Sequence, residues 1–528
     1  MLASAQNQET FKGSDAEPAY TLPDASAVTL VKEDLYDADS IDPIYRDKAR
    51  LISRAMQDIG MGKYQWWLFC VAGFGWFADS VWPLMAGLIL SPVVSEFDLG
   101  SHGPFLSLAI NIGLLVGAIF WGVGCDIWGR RWSFNLTLLV AGIFGLAAGG
   151  SPNFVTLASV TAVLGIGVGG NMPVDSAVFL DFVPAPHQYL LTLMSIWWSI
   201  GQLLASLVAW PLIANFSCPL DAPAGTCTRH ANMGWRYLMF TLSALMLLLW
   251  ALRFFAFPLF ESPRYLVGKG RDAEAVAVVR KVAAFNGRPE GAVSLDEDQL
   301  RAVDEKAGGQ VGGGALLAQG SDFSVGHVKA LFKTRRMAWS TTLLIFLWGI
   351  IGLASTLYNS FLPFLLASRG AKFGDSSYFI TYRNQVILAI IGVPGAFLAA
   401  YAVDHPLTGR RGTLAISSGL TGVFLFGSTT ARTSNALLGW NCAYAFNSNI
   451  MYGVLYAMSP EIFPAKDRGT GNALTSTATR VFGVMAPIIA LYANLDTPVP
   501  VYVSGALIML AGLLSLALPY EPRGKASL

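Results

Sequence analysis

The sequence predicts an all-α polytopic membrane protein whose twelve transmembrane helices form two pseudo-repeated six-helix bundles. Three observations lead there. Of the 528 residues, 54% are hydrophobic and only 13% charged, more apolar surface than a soluble chain of this length can hide in a core. Apolar runs long enough to cross ~30 Å of hydrocarbon, which takes about 20 helical residues, recur twelve times from Trp66 onward. Charged elements between these runs return at an interval of 280 residues: Gly129-Arg130-Arg131 is answered by Gly409-Arg410-Arg411, and Asp181-Phe-Val-Pro184 by Glu461-Ile-Phe-Pro464.

Residues 1–62 are polar and rich in Asp, Glu, Ser and Lys, and read as a flexible cytoplasmic tail with one short amphipathic piece near Tyr45 to Met56. No basic stretch there leads into an apolar core, so the first membrane helix is expected to serve as the insertion signal. The N-terminal bundle occupies 63–258, with runs at 66–90, 103–124, 132–150, 154–179, 188–214 and 235–258. A cytoplasmic linker, 259–337, holds a helix-like part from Asp272 to Phe285 and the Gly-rich stretch Gly308 to Gly314. Because no Gly-Lys-Ser/Thr follows that stretch and no strand precedes it, it reads as flexible chain and not as a phosphate loop. The C-terminal bundle, 338–520, has runs at 338–366, 378–402, 412–430, 436–459, 470–494 and 499–519, and 521–528 is a second tail.

Basic residues set the orientation. Arg50, Arg54 and Lys63, then Arg130 and Arg131, then Arg410, Arg411, Lys466 and Arg468 fall on the side of the tail and linker, whereas the loops at 91–102 and 495–498 carry no Lys or Arg. Both termini and the linker are therefore expected in the cytoplasm. The plasma membrane is the favoured location, with an organelle membrane as the alternative. On the opposite side, the loop after the fifth run holds Cys218 and Cys227, candidates for a disulfide, and the sequon at Asn215, a candidate glycan site.

The stretch Gly122-Val-Gly-Cys-Asp126-Ile-Trp-Gly129-Arg130-Arg131, set between the second and third apolar runs, resembles the signature loop of the major facilitator superfamily. Its looser copy is Asp404-His-Pro-Leu-Thr-Gly409-Arg410-Arg411. Pro258-Leu-Phe-Glu261-Ser-Pro263-Arg264 and Ser459-Pro-Glu461-Ile-Phe-Pro464, followed by Arg468, are similar to elements of the sugar-porter branch. What the resemblance implies is a cytoplasmic gate built from Asp126, Gly129, Arg130, Arg131, Glu261, Arg264, Asp404, Arg410, Arg411, Glu461 and Arg468, whose charges bridge the halves when the inner side is closed. The chain also departs from sugar porters. Thr161 stands where that branch places an Arg, and charges lie within the membrane runs. In that respect the sequence is closer to the synaptic-vesicle-glycoprotein-like and organic-acid:proton symporter branches.

A charge at mid-membrane is costly, by at least ~2.5 kcal/mol on insertion scales, so each should face the bundle interior or a cavity. Asp79 and Arg480 fall near mid-depth of the first and eleventh runs, and Asp175 lies one turn after Asn171 on the same face of the fourth. Asp79 and Asp175 are the candidate proton-coupling groups, and Trp76, Asn171, Gln202, Asn359, Arg383, Asn447, Tyr452 and Arg480 are the candidate substrate-binding set. Asn359 follows Asp79 by 280 residues, which puts an acid and an amide at equivalent places in the two halves.

These features point to a secondary active transporter, a symporter moving a small polar solute with protons, an organic anion before a sugar. The expected partners are that solute, protons and the bilayer, with the chain acting as a monomer. A sugar transporter and a non-transporting receptor or vesicle protein share the scaffold and stand as rival readings. A net charge of +1 offers no field for nucleic acid. The five histidines lie outside mid-membrane positions and show neither metal-ligand spacing nor a place beside a nucleophile, so no enzyme, cofactor or metal is expected.

Overall fold

The computed structural model describes residues 43–519 except 128, 188–189, 220–225, 290–294, 307–327, 330, 363–364, 367–376, 406–407, 464–467 and 493–497. The first forty-two residues, the Gly-rich linker stretch and the C-terminal tail lie outside these. Helix α1 (Pro43–Ile59) leads into the N-terminal bundle of α2 (Lys63–Leu88), α3 (Leu90–Phe97), α4 (Pro104–Ile127), α5 (Arg130–Gly149), α6 (Phe154–Gly169), α7 (Asn171–Phe182), α8 (Leu190–Leu193), α9 (Ser195–Phe216) and α10 (Gly234–Ala251). The last of these ends in a π-helical turn, Leu252–Ala256. Linker helices α11 (Pro263–Gly268), α12 (Asp272–Phe285) and α13 (Glu297–Lys306) follow. The C-terminal bundle is α14 (Arg335–Asn359), α15 (Tyr378–Asp404), α16 (Gly409–Thr429), α17 (Ser434–Ile462), α18 (Arg468–Tyr492) and α19 (Val499–Leu516). No strand occurs among the described residues.

Among the described residues ten spans are long and apolar enough to cross a membrane, counting α6 with α7 and α10 with its π turn. Helices α16 and α17, of 21 and 29 residues, complete the twelve. They fall short on hydropathy because glycine, serine and threonine dilute α16 and α17 carries four asparagines along its length. Two boundaries depart furthest from the sequence expectation. The fifth span starts at Ser195, after the short α8, and the seventh ends at Asn359.

Glycines let α4 and α6 touch. A Cβ at Gly113 would lie 2.0 Å from the Ala162 carbonyl oxygen, and one at Gly169 2.2 Å from that of Leu114, so only bare backbone permits this approach. Spacing the glycines one turn apart on each helix extends the contact along both, as small-residue seams do in membranes. Between bundles, α4 packs against α18 and α9 against α15. Away from the linker the seam is closed by Leu90, Leu357, Phe361, Ala486 and Ala490, and by Tyr382, whose hydroxyl donates to the Leu88 carbonyl.

The tail expected up to residue 62 is in part ordered, because α1 docks on the linker helices. Its apolar face, including Ile52, Met56 and Ile59, joins the core beneath α12. Lys48 Nζ donates to Asp272 at 2.5 Å and Asp304 at 2.7 Å. Burial alone pulls the Lys48 ammonium down, but its bonds to the two carboxylates outweigh this and hold its pKa above the usual lysine value. A raised value means that this contribution is complete below about pH 10 and is lost only as pH climbs past the folded value. The contact therefore holds at neutral pH.

Candidate functional site between the bundles

Both bundles contribute to a cavity of about 210 Å³, and each helix does so with one face. From α17 the lining residues are Tyr444, Ala445, Ser448, Asn449, Tyr452, Tyr456 and Ser459, which recur at intervals of three and four along one face. From α14 they are Trp348, Gly352, Ser355, Thr356 and Asn359, and from α18 Asn472, Thr475, Ser476, Thr479 and Arg480. The N-terminal bundle supplies Asp79, Ser80, Asn111, Met172, Trp198 and Gln202 among others.

At the wall, Arg480 Nη2 donates to Asp79 Oδ1 at 2.5 Å, which joins α18 of one bundle to α2 of the other. The two side chains are 13% and 3% exposed, so the pair is nearly dry. Breaking such a pair leaves an uncompensated charge in an apolar interior. Pro83, four residues beyond Asp79, has no N–H to offer the Asp79 carbonyl, which concentrates acceptor groups at this point of α2.

Aromatic rings enclose the pair. The Tyr456 ring lies 4.5 Å from Trp348, 5.0 Å from Trp76 and 5.8 Å from Trp198 between centroids, and Trp198 lies 5.0 Å from Tyr452. Amides occupy much of the remaining wall. Tyr444 Oη donates to Asn359 Oδ1 at 3.0 Å, and Ser199 Oγ donates across the bundles to Asn449 Oδ1 at 2.9 Å.

Of the residues singled out from the sequence, Asp79, Gln202, Asn359, Tyr452 and Arg480 line this cavity. Trp76 stands behind the lining, against Tyr456. Asn447 donates to the Ala443 carbonyl of its own helix at 3.0 Å, and half-buried Arg383 donates to the neighbouring Asn384 at 3.2 Å, and neither is a lining residue. Asn171 is fully buried and makes no hydrogen bond through its amide. Asp175, also fully buried, accepts from Arg253 Nη2 at 2.5 Å. The Arg253 guanidinium lies over the Phe134 ring, 3.1 Å from its centroid.

Sequence reasoning missed Arg253, which stands in the last turn of its span, where an arginine reads as a topology marker. It also missed Tyr456, Trp348 and Asn449. Helical spacing was the available signal, since Tyr456 is one turn after Tyr452 and Asn449 three residues before it.

At the linker end, charges expected to bridge the halves pair within each half. Arg130 forms an ion pair with Asp181, and its backbone N–H donates to Glu261 at 3.1 Å. Arg410 donates twice to Glu461, at 2.8 and 2.9 Å. These bonds pin the start of one membrane span to the end of the next, so they set the shape of each bundle. Gly129 has φ +95°, and a Cβ there would lie 2.8 Å from Glu261. Arg264 donates to Ser53 of α1 at 3.0 Å, and Arg411 to the Leu516 carbonyl. Arg131 is exposed, and the side chains of Asp126, Asp404 and Arg468 lie outside the described set. On the opposite face Cys218 and Cys227 are disulfide-bonded, and Asn215 is exposed at the end of α9.

Comparison with known proteins adds to this geometry. Residues 102–518 match the family described as sugar (and other) transporter. The chain is 72% identical over 94% of its length, and 94% of the relative's, to a protein of Ceriporiopsis subvermispora named MFS siderochrome iron transporter 1. It is 41% identical, over 94% of this chain and 90% of the other, to the major facilitator-type transporter hxnZ of Emericella nidulans. The fold matches the solved structure of the proton:xylose symporter XylE with a TM-score of 0.64 at 19% identity, over 88% of this chain and 98% of that one. A chain of two six-helix bundles that matches this family over most of its length belongs to it: this protein is a major facilitator superfamily transporter of the sugar (and other) transporter family.

Proposed function

We propose that this transporter moves a small organic anion together with protons, with Asp79 carrying the coupling proton and Arg480 receiving the anion. The observation that carries the reading is the dry Asp79–Arg480 pair joining the two bundles at the cavity wall. While Asp79 is ionised it occupies the guanidinium. A proton taken up by Asp79 removes that charge and frees Arg480 for a solute carboxylate, to which a guanidinium offers several donors. The loaded site then changes face with its charges balanced, as rocking of the bundles about a central site requires. Departure of anion and proton restores the pair. Asp175 is the alternative carrier.

Trp198, Trp348, Tyr452 and Tyr456 present flat apolar surfaces beside the charge, while Gln202 and Asn359 supply amides. That lining suits an anion with a flat apolar body better than a polyol ring. In this reading the chain works as a monomer with both termini in the cytoplasm, and the Arg–carboxylate pairs of the linker end brace the gate.

The name of the 72% identical relative favours a second reading, transport of siderochrome iron. The cavity of about 210 Å³ speaks for a smaller solute, since sites for drug-sized ligands span ~300–1,000 Å³. Uptake by proteoliposomes of radiolabelled benzoate, succinate, glucose and a ferric siderophore, with and without a pH gradient, decides among these. Accumulation of a carboxylate only when the gradient is imposed is the expected result. Uptake of glucose or the siderophore with no carboxylate transported overturns the proposal.

A further inference from the structure

Below Asp79, toward the linker end, the N-terminal bundle holds a second set of buried polar groups. Gly75 is one turn before Asp79 on α2 and shares its face. A Cβ at Gly75 would lie 1.7 Å from Asp175 Oδ2 and 3.2 Å from Asn171 Cβ, so glycine alone lets the α7 carboxylate lie against the α2 backbone at this level. Next toward the linker end comes Arg253. Two features fix the direction: Gln65 of α2 donates to the Phe182 carbonyl at the end of α7, and the chain leaves the π turn after Arg253 for the linker. Asp79, Asn171, Asp175 and Arg253 thus form a descending series from cavity to linker end.

Three features of the series are unlike a structural ion pair. First, Asp175 is neutralised on one side only. Oδ1 accepts from Arg253, whereas Oδ2 has no protein partner, nor do Arg253 Nε and Nη1 or either amide atom of Asn171. Second, Arg253 stands in a π-helical turn, a rare local geometry that is frequent at functional sites. Third, a buried ion pair is a poor source of stability, since apolar residues of similar volume often serve as well or better, so stability alone does not account for this one.

We propose that Asp175 is a second proton site, which takes the coupling proton from Asp79 and passes it to the linker end of the N-terminal bundle. This rests on the reading of Asp79 as the proton carrier. The proton leaves the Asp79 carboxyl oxygen as Arg480 re-forms its bond to the carboxylate, and it binds Asp175 Oδ2. Asn171, with an amide NH2 that donates and a carbonyl oxygen that accepts, lies between them and orients a water that carries it. Arg253 stays bonded to Oδ1 and draws the carboxylate back to its ionised form when the proton departs. The charged groups that act on Asp175 among the described residues are Arg253 from α10 and Asp79 from α2, and Phe134 of α5 covers the guanidinium face.

Infrared difference spectroscopy of the purified protein between neutral and mildly acidic pH tests this without a solute, through the protonated-carboxyl stretch. Asp175→Asn should remove one component of that band and Asp79→Asn another. An undiminished band in Asp175→Asn overturns the relay. Since Asp175→Asn leaves Arg253 without its anion, the double variant Asp175→Asn/Arg253→Met serves as the folding-competent control. In proteoliposomes with radiolabelled benzoate as probe, the double variant should lose at least tenfold of pH-driven accumulation while counterflow exchange persists. Accumulation at wild-type level overturns the relay, and so does equal loss of exchange and accumulation, which marks the pair as structural. If Asp79→Asn keeps both its band component and its accumulation, the reading of Asp79 itself fails. If only Asp175→Asn keeps them, the relay fails and Asp79 stands.

Discussion

The two halves are alike at the linker end and unlike at mid-depth. Arg130 with Asp181 and Arg410 with Glu461 occupy the same repeat positions, make the same kind of bond, and each follows a glycine with positive φ, +95° at Gly129 and +56° at Gly409. At the cavity the equivalence breaks. Asp79 corresponds to Asn359, Arg480 to Ile200, and Asp175 to Leu455. Each half supplies the charge that the other lacks, and the Asp79–Arg480 bond is the result. The repeated features brace helices, which both bundles need in order to move as bodies. In the proposed reading the unrepeated ones do the chemistry, with an acid of one half meeting a base of the other at the pseudo-symmetry axis.

Making the halves alike at mid-depth should have the largest effect. Asp79→Asn copies Asn359 into the first half. The amide mimics the protonated acid, so exchange of solute across the membrane should persist while pH-driven accumulation falls more than tenfold. If the variant still concentrates solute in response to pH, the proton rides elsewhere. Arg480→Gln should instead weaken binding, raising the half-saturating solute concentration about tenfold to a hundredfold, as loss of a charged hydrogen bond of about 1.5–3 kcal/mol implies. Unchanged affinity would make Arg480 purely structural. The two changes share one bond, so together they should cost less than the sum of each alone.

At the linker end the comparison predicts equality. Asp181→Asn and Glu461→Gln each remove the anion paired with a mostly buried arginine, with side-chain exposures of 19% and 8% in one pair and 9% and 17% in the other. Each should cost about 2 kcal/mol and lower the melting temperature in detergent by roughly 4–8 °C. A much larger loss in one half would show that the repeat is no longer mechanical there.

How much of this was legible in the sequence follows the same division. Spans, bundles and helix-end charges were read directly, because a bilayer imposes length and hydropathy on every helix and the repeat marks its own loops. The cavity was legible only in part. Asp79 and Arg480 announce themselves by their cost at mid-depth, but nothing linear says that they meet, since 401 residues separate them. Arg253 escaped notice because a basic residue near a helix end satisfies the rule of orientation and draws no further question. Arg383 misled for the opposite reason, for it lies inside a span yet turns to Asn384 and away from the face that Gln385 presents to the cavity.

The smallest effect expected is also the sharpest check on the face of α17. Asn447 and Asn449 are two residues apart, equally polar, and similarly placed for a reader of the sequence. Two residues on a helix are about 200° of rotation, so only one of them can share a face with Tyr452. Counting back from Tyr452 in steps of three and four reaches Asn449, Ser448 and Ala445, all of which line the cavity, and passes over Asn447. Both amides bond a carbonyl of their own helix, Asn447 that of Ala443 and Asn449 that of Ala445, but Asn449 also accepts from Ser199 of the other bundle. Asn447→Ala should therefore leave transport within about twofold of wild type, whereas Asn449→Ala, by losing a hydrogen bond of about 1 kcal/mol between the bundles, should shift the half-saturating concentration about fivefold. A reversed order, measured as solute uptake by the two variants at matched expression, would mean that α17 presents a different face to the solute than the one that surrounds Tyr452.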